Sequence, residues 1–380
     1  MWPLRQGLTR LPRKGATGSQ PLHGRATRGA TAGPGLTRLG LRSRPESPAA
    51  AQKNKAICPL FCNLVLLILN GMRVLITGSN GLLGQKLVEL LSKQPGLQVH
   101  ACGQGENRLK LPAGVDYAPL DIRDAEQTLR LWESVRPNSV IHAAAMTNVD
   151  ACEQGPDTCD AVNIQGTEHV LSACERWNCH LIHISTDFIF NGNDGPYDES
   201  AQADPLSHYG LSKWKAEEKV MQSSLKWAIL RTVLVYGVTQ GMARSNIVLW
   251  ARNALKSGNP VRVVNDQFRS PTLAEDLAMA CWLAIQHKAE GIYHISGPDM
   301  MGIDELVRRV AAFWNLPTQA METVSSATLN QPAQRPPKTG FIIDKARHEL
   351  GYAPHTFEEG LALVDAQIAA MNTGSSTQEP

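Results

Sequence analysis

The chain has 380 residues, 43% of them hydrophobic and 31 of them glycine, which allows one large or two modest domains of ordinary α/β composition. Its net charge of +2 hides an asymmetry: residues 1–71 carry eleven Lys/Arg against Glu46 alone, leaving 26 basic and 34 acidic residues for the rest. An acidic body of about −8 gives no electrostatic reason to expect nucleic acid as a partner. The eight cysteines form no C-x-x-C pair and no zinc-like Cys/His spacing, so reduced, buried thiols in a cytoplasmic protein without a metal site are expected.

Residues 1–55 are rich in Arg, Gly, Pro and Thr and lack an apolar period. The apolar run Ile57–Leu69, interrupted by Pro59 and Asn63, falls short of the ~20 residues of a spanning helix. A targeting segment, an anchor, and a disordered or spurious extension with Met72 as the working start all remain open. The last is preferred, because Asn70 and Gly71 are the only spacer before the first core strand, and no membrane partner is expected.

Arg73–Thr77 reads as a buried central strand of a parallel sheet. It runs into Gly78-Ser-Asn-Gly81-Leu-Leu-Gly84 and a helix over Leu82–Leu91. Strand, glycine turn and amphipathic helix together specify a dinucleotide site. Gly78 permits the turn, Gly81 lets backbone approach a pyrophosphate, and Gly84 lets the helix pack on the strand. Gly78, Asn80, Gly81, Leu82, Leu83 and Gly84 are the expected cofactor set there, with the helix amino end aimed at the phosphates.

The second strand, Leu97–Ala101, ends without an Asp or Glu to hold a ribose hydroxyl, while Arg108 is near enough to meet a 2′-phosphate. NADPH is therefore expected, with NADH the alternative if Glu106 takes the ribose; Arg108 as an ordinary solvated side chain also stands. After a third strand, Val115–Pro119, Asp121 is placed at the adenine amino group, Ile122 against the ring, and Asp124 as a helix N-cap. Ser139–His142 forms the fourth strand, and the small Ala143, Ala144 and Ala145 leave room for a cofactor, although helix packing would also use them.

Leu181–Ser185 is the fifth strand, which puts Thr186 at the carboxyl end of the sheet. Tyr209 and Lys213 then sit four apart on one face of a helix running to Met221, with Leu211, Trp214 and Met221 available for packing. A phenol beside an ammonium can serve as a general acid, because the cation brings its pKa down from about 10 toward working pH. Thr186, Tyr209 and Lys213 are the expected catalytic set. Thr186 would orient a ketone oxygen, Tyr209 would protonate it, and Lys213 would tune Tyr209 and hold the nicotinamide ribose.

Five segments, in chain order, make the body (72–371) resemble the dTDP-4-dehydrorhamnose reductase family of extended short-chain dehydrogenases/reductases. They are Ala144-Ala-Met-Thr-Asn-Val-Asp150, Ser185-Thr-Asp-Phe-Ile-Phe-Asn-Gly192, Pro205-Leu-Ser-His-Tyr-Gly-Leu-Ser-Lys213, Asn265-Asp-Gln-Phe-Arg-Ser-Pro-Thr272 and Arg335-Pro-Pro-Lys-Thr339. The resemblance implies reduction of a nucleotide-linked 4-keto-6-deoxysugar at C-4, yielding dTDP-L-rhamnose. It puts Thr147, Asn148, Gln267, Arg269, Pro271 and Arg335 on the substrate side. Arg269 departs from the family's usual Gly, where it could clamp a diphosphate or narrow the pocket.

The fold expected is α/β, a Rossmann-type doubly wound parallel sheet (mainly 72–243) with a smaller C-terminal substrate cap (mainly 244–371) whose segments return to the sheet. Helices are expected over Ser245–Leu255, Thr272–Gln286, Ile303–Phe313 and Thr356–Met371, strands over Val261–Val264 and Gly291–Ile295, and disorder over 372–380. Thr272 and Glu275 have capping-box spacing. An epimerase of the same fold, or a binding module resembling the regulatory subunit of methionine adenosyltransferase, are the rival readings. A homodimer and a Mg2+ requirement are compatible with these residues and specified by none of them.

Overall fold

The computed structural model describes residues 71–241 and 245–375. The N-terminal extension with its Ile57–Leu69 run, the 243/244 boundary and residues 376–380 lie outside the described residues.

Seven strands form one sheet: β1 (Met72–Thr77), β2 (Leu97–Gly103), β3 (Asp116–Pro119), β4 (Ser139–His142), β5 (His180–Thr186), β6 (Trp227–Thr232) and, after the short β7 (Val235–Tyr236), β8 (Val261–Val264), β9 (Phe268–Arg269) and β10 (Thr272–Leu273), the returning β11 (Gly291–Ile295). Their order is β11-β6-β5-β4-β1-β2-β3, and every pairing is parallel. Both faces are covered, which is why β1 reads as continuous apolar sequence. Val74 and Ile76 face a core with Leu87 and Val88 of α1 (Leu82–Leu91), whereas Leu75 faces Trp132 of α2 (Ala125–Val135). The strand order reverses between β1 and β4, where α/β sheets of this kind bind ligands at the carboxyl ends.

Between β4 and β5 come α3 (Val149–Gln154), α4 (Pro156–Asp160), a π-helical turn (Ala161–Gln165) and α5 (Gly166–Trp177). α6 (His208–Gln222) buries Lys213, Ala216 and Val220, while Tyr209 packs with Cys152 and Cys159 of α3 and α4 and Ser212 bonds to Asn163. Leu211, expected in that packing, points away and is exposed. A second apolar cluster gathers Leu255 of α7 (Ile247–Ser257), Leu306 and Val310 of α9 (Ile303–Phe313) and, beyond α10 (Asp344–Leu350), Leu361 of α11 (Phe357–Ser375).

Asp124 caps α2 by accepting from Gln127 N. The capping box expected at Thr272 and Glu275 does not form. Thr272 Oγ1 donates to Val233 O, and α8 (Ala274–Gln286) starts after Leu273 without a side-chain cap. The reciprocal box stands instead at Thr356 and Glu359, where Thr356 N meets Glu359 Oε2 at 2.8 Å and Glu359 N meets Thr356 Oγ1 at 3.4 Å. α11 also continues to Ser375, past the expected stop at 371, with Thr373 Oγ1 bonded back to the Ala370 carbonyl.

Candidate active site

The turn after β1 is built by steric necessity. Gly78 has φ +70°, and a Cβ there would lie 2.7 Å from Ala144 N. A Cβ on Gly84 would lie 2.5 Å from Ser79 Cα, so both glycines are fixed by close approach of backbone. Gly81 differs: its Cβ would meet only Gly78 O, at 3.3 Å, and it opens α1 without a side-chain cap. The uncapped N–H groups of α1 therefore face a cavity of about 790 Å3.

Most of the expected residues line this cavity. Gly78 and the run Asn80–Gly84 form one wall with Ala143, Ala144 and Ala145, and Thr186, Tyr209 and Lys213 form the other. Arg108, Asp121 and Ile122 lie at the β2–β3 end, and Thr147, Arg269 and Arg335 also line the cavity. Asn148, Gln267 and Pro271 are absent from the lining, each for a local reason. Asn148 caps α3 through Ala151 N. Gln267 is buried, with its carbonyl on Ile303 N, and the Pro271 carbonyl takes Gly297 N.

Several side chains are committed to the protein in ways the sequence did not reveal. Asn80 Nδ2 donates to the Gln104 and Glu106 carbonyls and its Oδ1 accepts from Arg108 N, so it braces the loop after β2 against the glycine turn. Asp121 is gripped by Arg123, with Nη2 on Oδ2 at 2.5 Å, which holds its carboxyl below the usual range. Arg269 is 3% exposed and not positioned as a diphosphate clamp. Its nitrogens donate to the Phe268 and Pro336 carbonyls at 2.7 Å, and Nε stands 3.7 Å from Asp187. Arg335 pairs with Asp150 at 2.7 Å and remains partly exposed.

The residues expected to be catalytic differ electrostatically from the sequence reading. Lys213 Nζ donates to the Ile184 carbonyl at 2.8 Å and meets His183 Nε2 at 3.2 Å, so the ammonium is turned toward β5. Burial pushes its pKa down to about 8, partly opposed by Glu217. Tyr209 is pushed up, not down: burial dominates, a hydrogen bond with Thr186 opposes it, and Asp187 and the Cys152 and Cys159 thiols add to it. The expected acidification of the phenol by Lys213 is thus overridden by desolvation.

Behind Lys213, Thr167 Oγ1 donates to the Asn163 carbonyl and so must accept from His142 Nε2. That leaves His142 Nδ1 as acceptor for Thr77 Oγ1 at 2.8 Å, and burial keeps this imidazole neutral, its pKa lowered to about 3. Ser185 Oγ is buried, lines the cavity and has no protein partner. On the opposite wall, the uncapped α1 and the open face at Gly81 suit a phosphate-bearing nucleotide. Sequence reasoning missed Gln104, Arg123, Ser185 and Asp187 as lining residues; the last two flank Thr186 directly. Among the described residues, no group of His, Cys, Asp and Glu is placed to hold a metal, six cysteines are buried and unpaired, and no helix is long and apolar enough to cross a membrane.

A family model described as the RmlD substrate binding domain matches residues 72–369. The chain is 30% identical to dTDP-4-dehydrorhamnose reductase from Aggregatibacter actinomycetemcomitans, over 77% of this chain and 98% of that one. It is 28% identical to methionine adenosyltransferase 2 subunit beta from Rattus norvegicus, over 73% and 83%. The crystal structure of dTDP-4-dehydrorhamnose reductase from Bacillus anthracis in complex with NADP aligns with TM-score 0.67 and 29% identity, covering 78% of this chain and 99% of that one.

Proposed function

The chain belongs to the RmlD substrate binding domain family, and we propose that it reduces the C-4 ketone of dTDP-4-dehydrorhamnose with NADPH to give dTDP-L-rhamnose. It is an NAD(P)H-dependent oxidoreductase. The observation that carries the finer reading is one cavity shared by the glycine turn, Thr186, Tyr209 and Lys213.

Reduced nicotinamide, when bound, supplies the hydride to C-4. Tyr209 gives its phenolic proton to the ketone oxygen. Lys213 spends donors on Ile184 O and His183, which leaves a third for the nicotinamide ribose. Gly78, Gly81 and the amino end of α1 hold the pyrophosphate. Arg108 and Arg123, both exposed at the β2–β3 end of the cavity, favour a 2′-phosphate and hence NADPH. Thr147 and Arg335 are assigned to the sugar nucleotide.

Full-length protein assayed with dTDP-4-dehydrorhamnose should oxidise NADPH, and Tyr209→Phe should lower kcat by about 10²–10⁴ with NADPH affinity kept. Equal rates in the two proteins would remove Tyr209 from this role. The likeness to the methionine adenosyltransferase subunit favours one second reading, a nucleotide-binding module. Tight NADPH binding with no turnover of the ketone by the wild-type chain would select it.

A further inference from the structure

Resting on the NADPH reading above, we propose that Asn80 is a positioning residue for coenzyme choice. It ties the loop after β2 to the glycine turn and so sets Arg108 where its guanidinium meets the coenzyme's 2′-phosphate. The backbone of Asn80 belongs to the turn assigned to the pyrophosphate, and its side chain reaches the loop that carries Arg108. In NADPH the pyrophosphate and the 2′-phosphate hang from one ribose. A site that takes both is strongest when its two halves are held at a set separation before the ligand arrives.

The loop 104–108 has no regular structure of its own: β2 ends at Gly103, and Leu109 is the next buried side chain. Asn80 anchors the stretch between. Its Oδ1 accepts from Arg108 N at 2.9 Å. Its Nδ2 has two protons and three acceptors, Glu106 O at 2.9 Å, Tyr117 Oη at 3.0 Å and Gln104 O at 3.1 Å, so at least one of these bonds is shared. Tyr117, on β3, in turn has the Gly105 carbonyl at 2.7 Å and the Gly103 carbonyl at 2.9 Å for its single proton. Asn80 is itself fixed from behind. Its carbonyl accepts from Gln85 Nε2 at 3.2 Å, and Gln85 is fully buried, bonded also to Gln240 O at 2.9 Å and to Thr239 Oγ1.

The charges at this end of the cavity explain what the tie accomplishes. Arg123 spends Nε and Nη2 on Asp121. Arg108 is held through its backbone N–H, which leaves its exposed guanidinium to a ligand. Glu106 is exposed two positions earlier and would repel a phosphate. Arg108 lines the cavity and Glu106 does not. A loose loop would average the attraction of one against the repulsion of the other. Held at both 106 and 108, it keeps the cation on the cavity side, which bears on the 2′-phosphate and not on the rest of the coenzyme.

Calorimetry on full-length protein with adenosine 2′,5′-bisphosphate and 5′-AMP, which differ only in the 2′-phosphate, tests this without turnover. Wild type should bind the bisphosphate about tenfold tighter or better. Arg108→Ala should reduce that ratio to about twofold, the remainder coming from Arg123. Asn80→Ala should lower the ratio about fivefold, chiefly by weakening the bisphosphate, and should lower it no further when added to Arg108→Ala. Tyr117→Phe removes one partner of Asn80 and leaves both arginines, so it should lower the ratio about twofold, and it carries the test if Asn80→Ala fails to fold. Asn80→Ala weakening both probes by one factor would make Asn80 a purely structural residue and overturn the proposal. Ratio losses that multiply in the double variant, or a wild-type ratio in Tyr117→Phe, would also overturn it. Equal binding of the two probes by wild type would sink the NADPH reading and the proposal with it. The predicted ratios in a protein that does not reduce the sugar would remove the reductase reading and leave the role of Asn80 standing.

Discussion

Two glycines separate steric necessity from backbone preference. Gly84 has Ser79 Cα where a methyl group would go, whereas Gly105, at φ +76°, meets nothing within 4 Å. Gly105→Ala should therefore lose about 1 kcal/mol from left-handed backbone alone. Gly84→Ala should lose about 1–3 kcal/mol through overpacking, despite the better helix propensity of Ala, and should weaken NADPH binding by moving the turn. Urea denaturation and nucleotide titration check both; a Gly84→Ala protein as stable as wild type would show that the turn can relax. Lys213 makes a pH prediction. Its folded pKa, about 8, lies below its ordinary 10.5, so between these values the unfolded chain binds more protons than the folded one. Stability relative to Lys213→Met should consequently rise with pH from about 8 toward about 10, and the penalty should be fully present below about 8. A flat difference across that window would mean that Lys213 is not desolvated as its surroundings imply. The convergence of Thr186, Tyr209 and Lys213 on one cavity was legible because spacing and order carry it. The engagement of Asp187 was not, because its partner Thr339 is 152 residues away and only the fold brings them together.

Among the elements, α6 carries both Tyr209 and Lys213, and one buried ion pair ties it to the sheet. Arg231 of β6 grips Glu217 with Nε on both oxygens at 3.1 Å and Nη2 on Oε2 at 2.7 Å; neither side chain is more than 2% exposed. Arg231→Met should destabilise the protein by about 3–5 kcal/mol by leaving the Glu217 charge unpaired. Adding Glu217→Met should recover much of that loss, and chemical denaturation of the single and double variants measures both. A double variant weaker than the single would mean that the pair stabilises through attraction beyond what desolvation removes. Strands such as Ser139–His142 and helices such as Leu82–Leu91 and Ile303–Phe313 were readable from period and flanking residues. The π-turn Ala161–Gln165 was not. There Asn163 Nδ2 reaches the Met146 carbonyl at 3.0 Å and Ser212 Oγ at 2.9 Å, tying the end of β4 to α6. No local pattern announces a side chain that ties such distant segments together. The misplaced capping box makes the same point: Thr272 fits the spacing, but the Val233 carbonyl claims its hydroxyl.

At the scale of the whole molecule, the sheet reverses order between β1 and β4 and puts a nucleotide turn and a tyrosine–lysine helix on one cavity. That arrangement was foreseeable as a class, since a glycine turn between strand and helix selects a doubly wound sheet. The long-range clasp of residues 333–339 on the site was not, because Arg335 on Asp150 and Arg269 on Pro336 join segments far apart in sequence. The central claim is net hydride transfer from added coenzyme to C-4 of the sugar, and one labelling measurement addresses it. With dTDP-4-dehydrorhamnose and NADPH deuterated at the transferring position, mass spectrometry should find one deuterium at C-4 of dTDP-L-rhamnose for each coenzyme oxidised. Product without deuterium, or an altered sugar with no coenzyme consumed, would contradict the account.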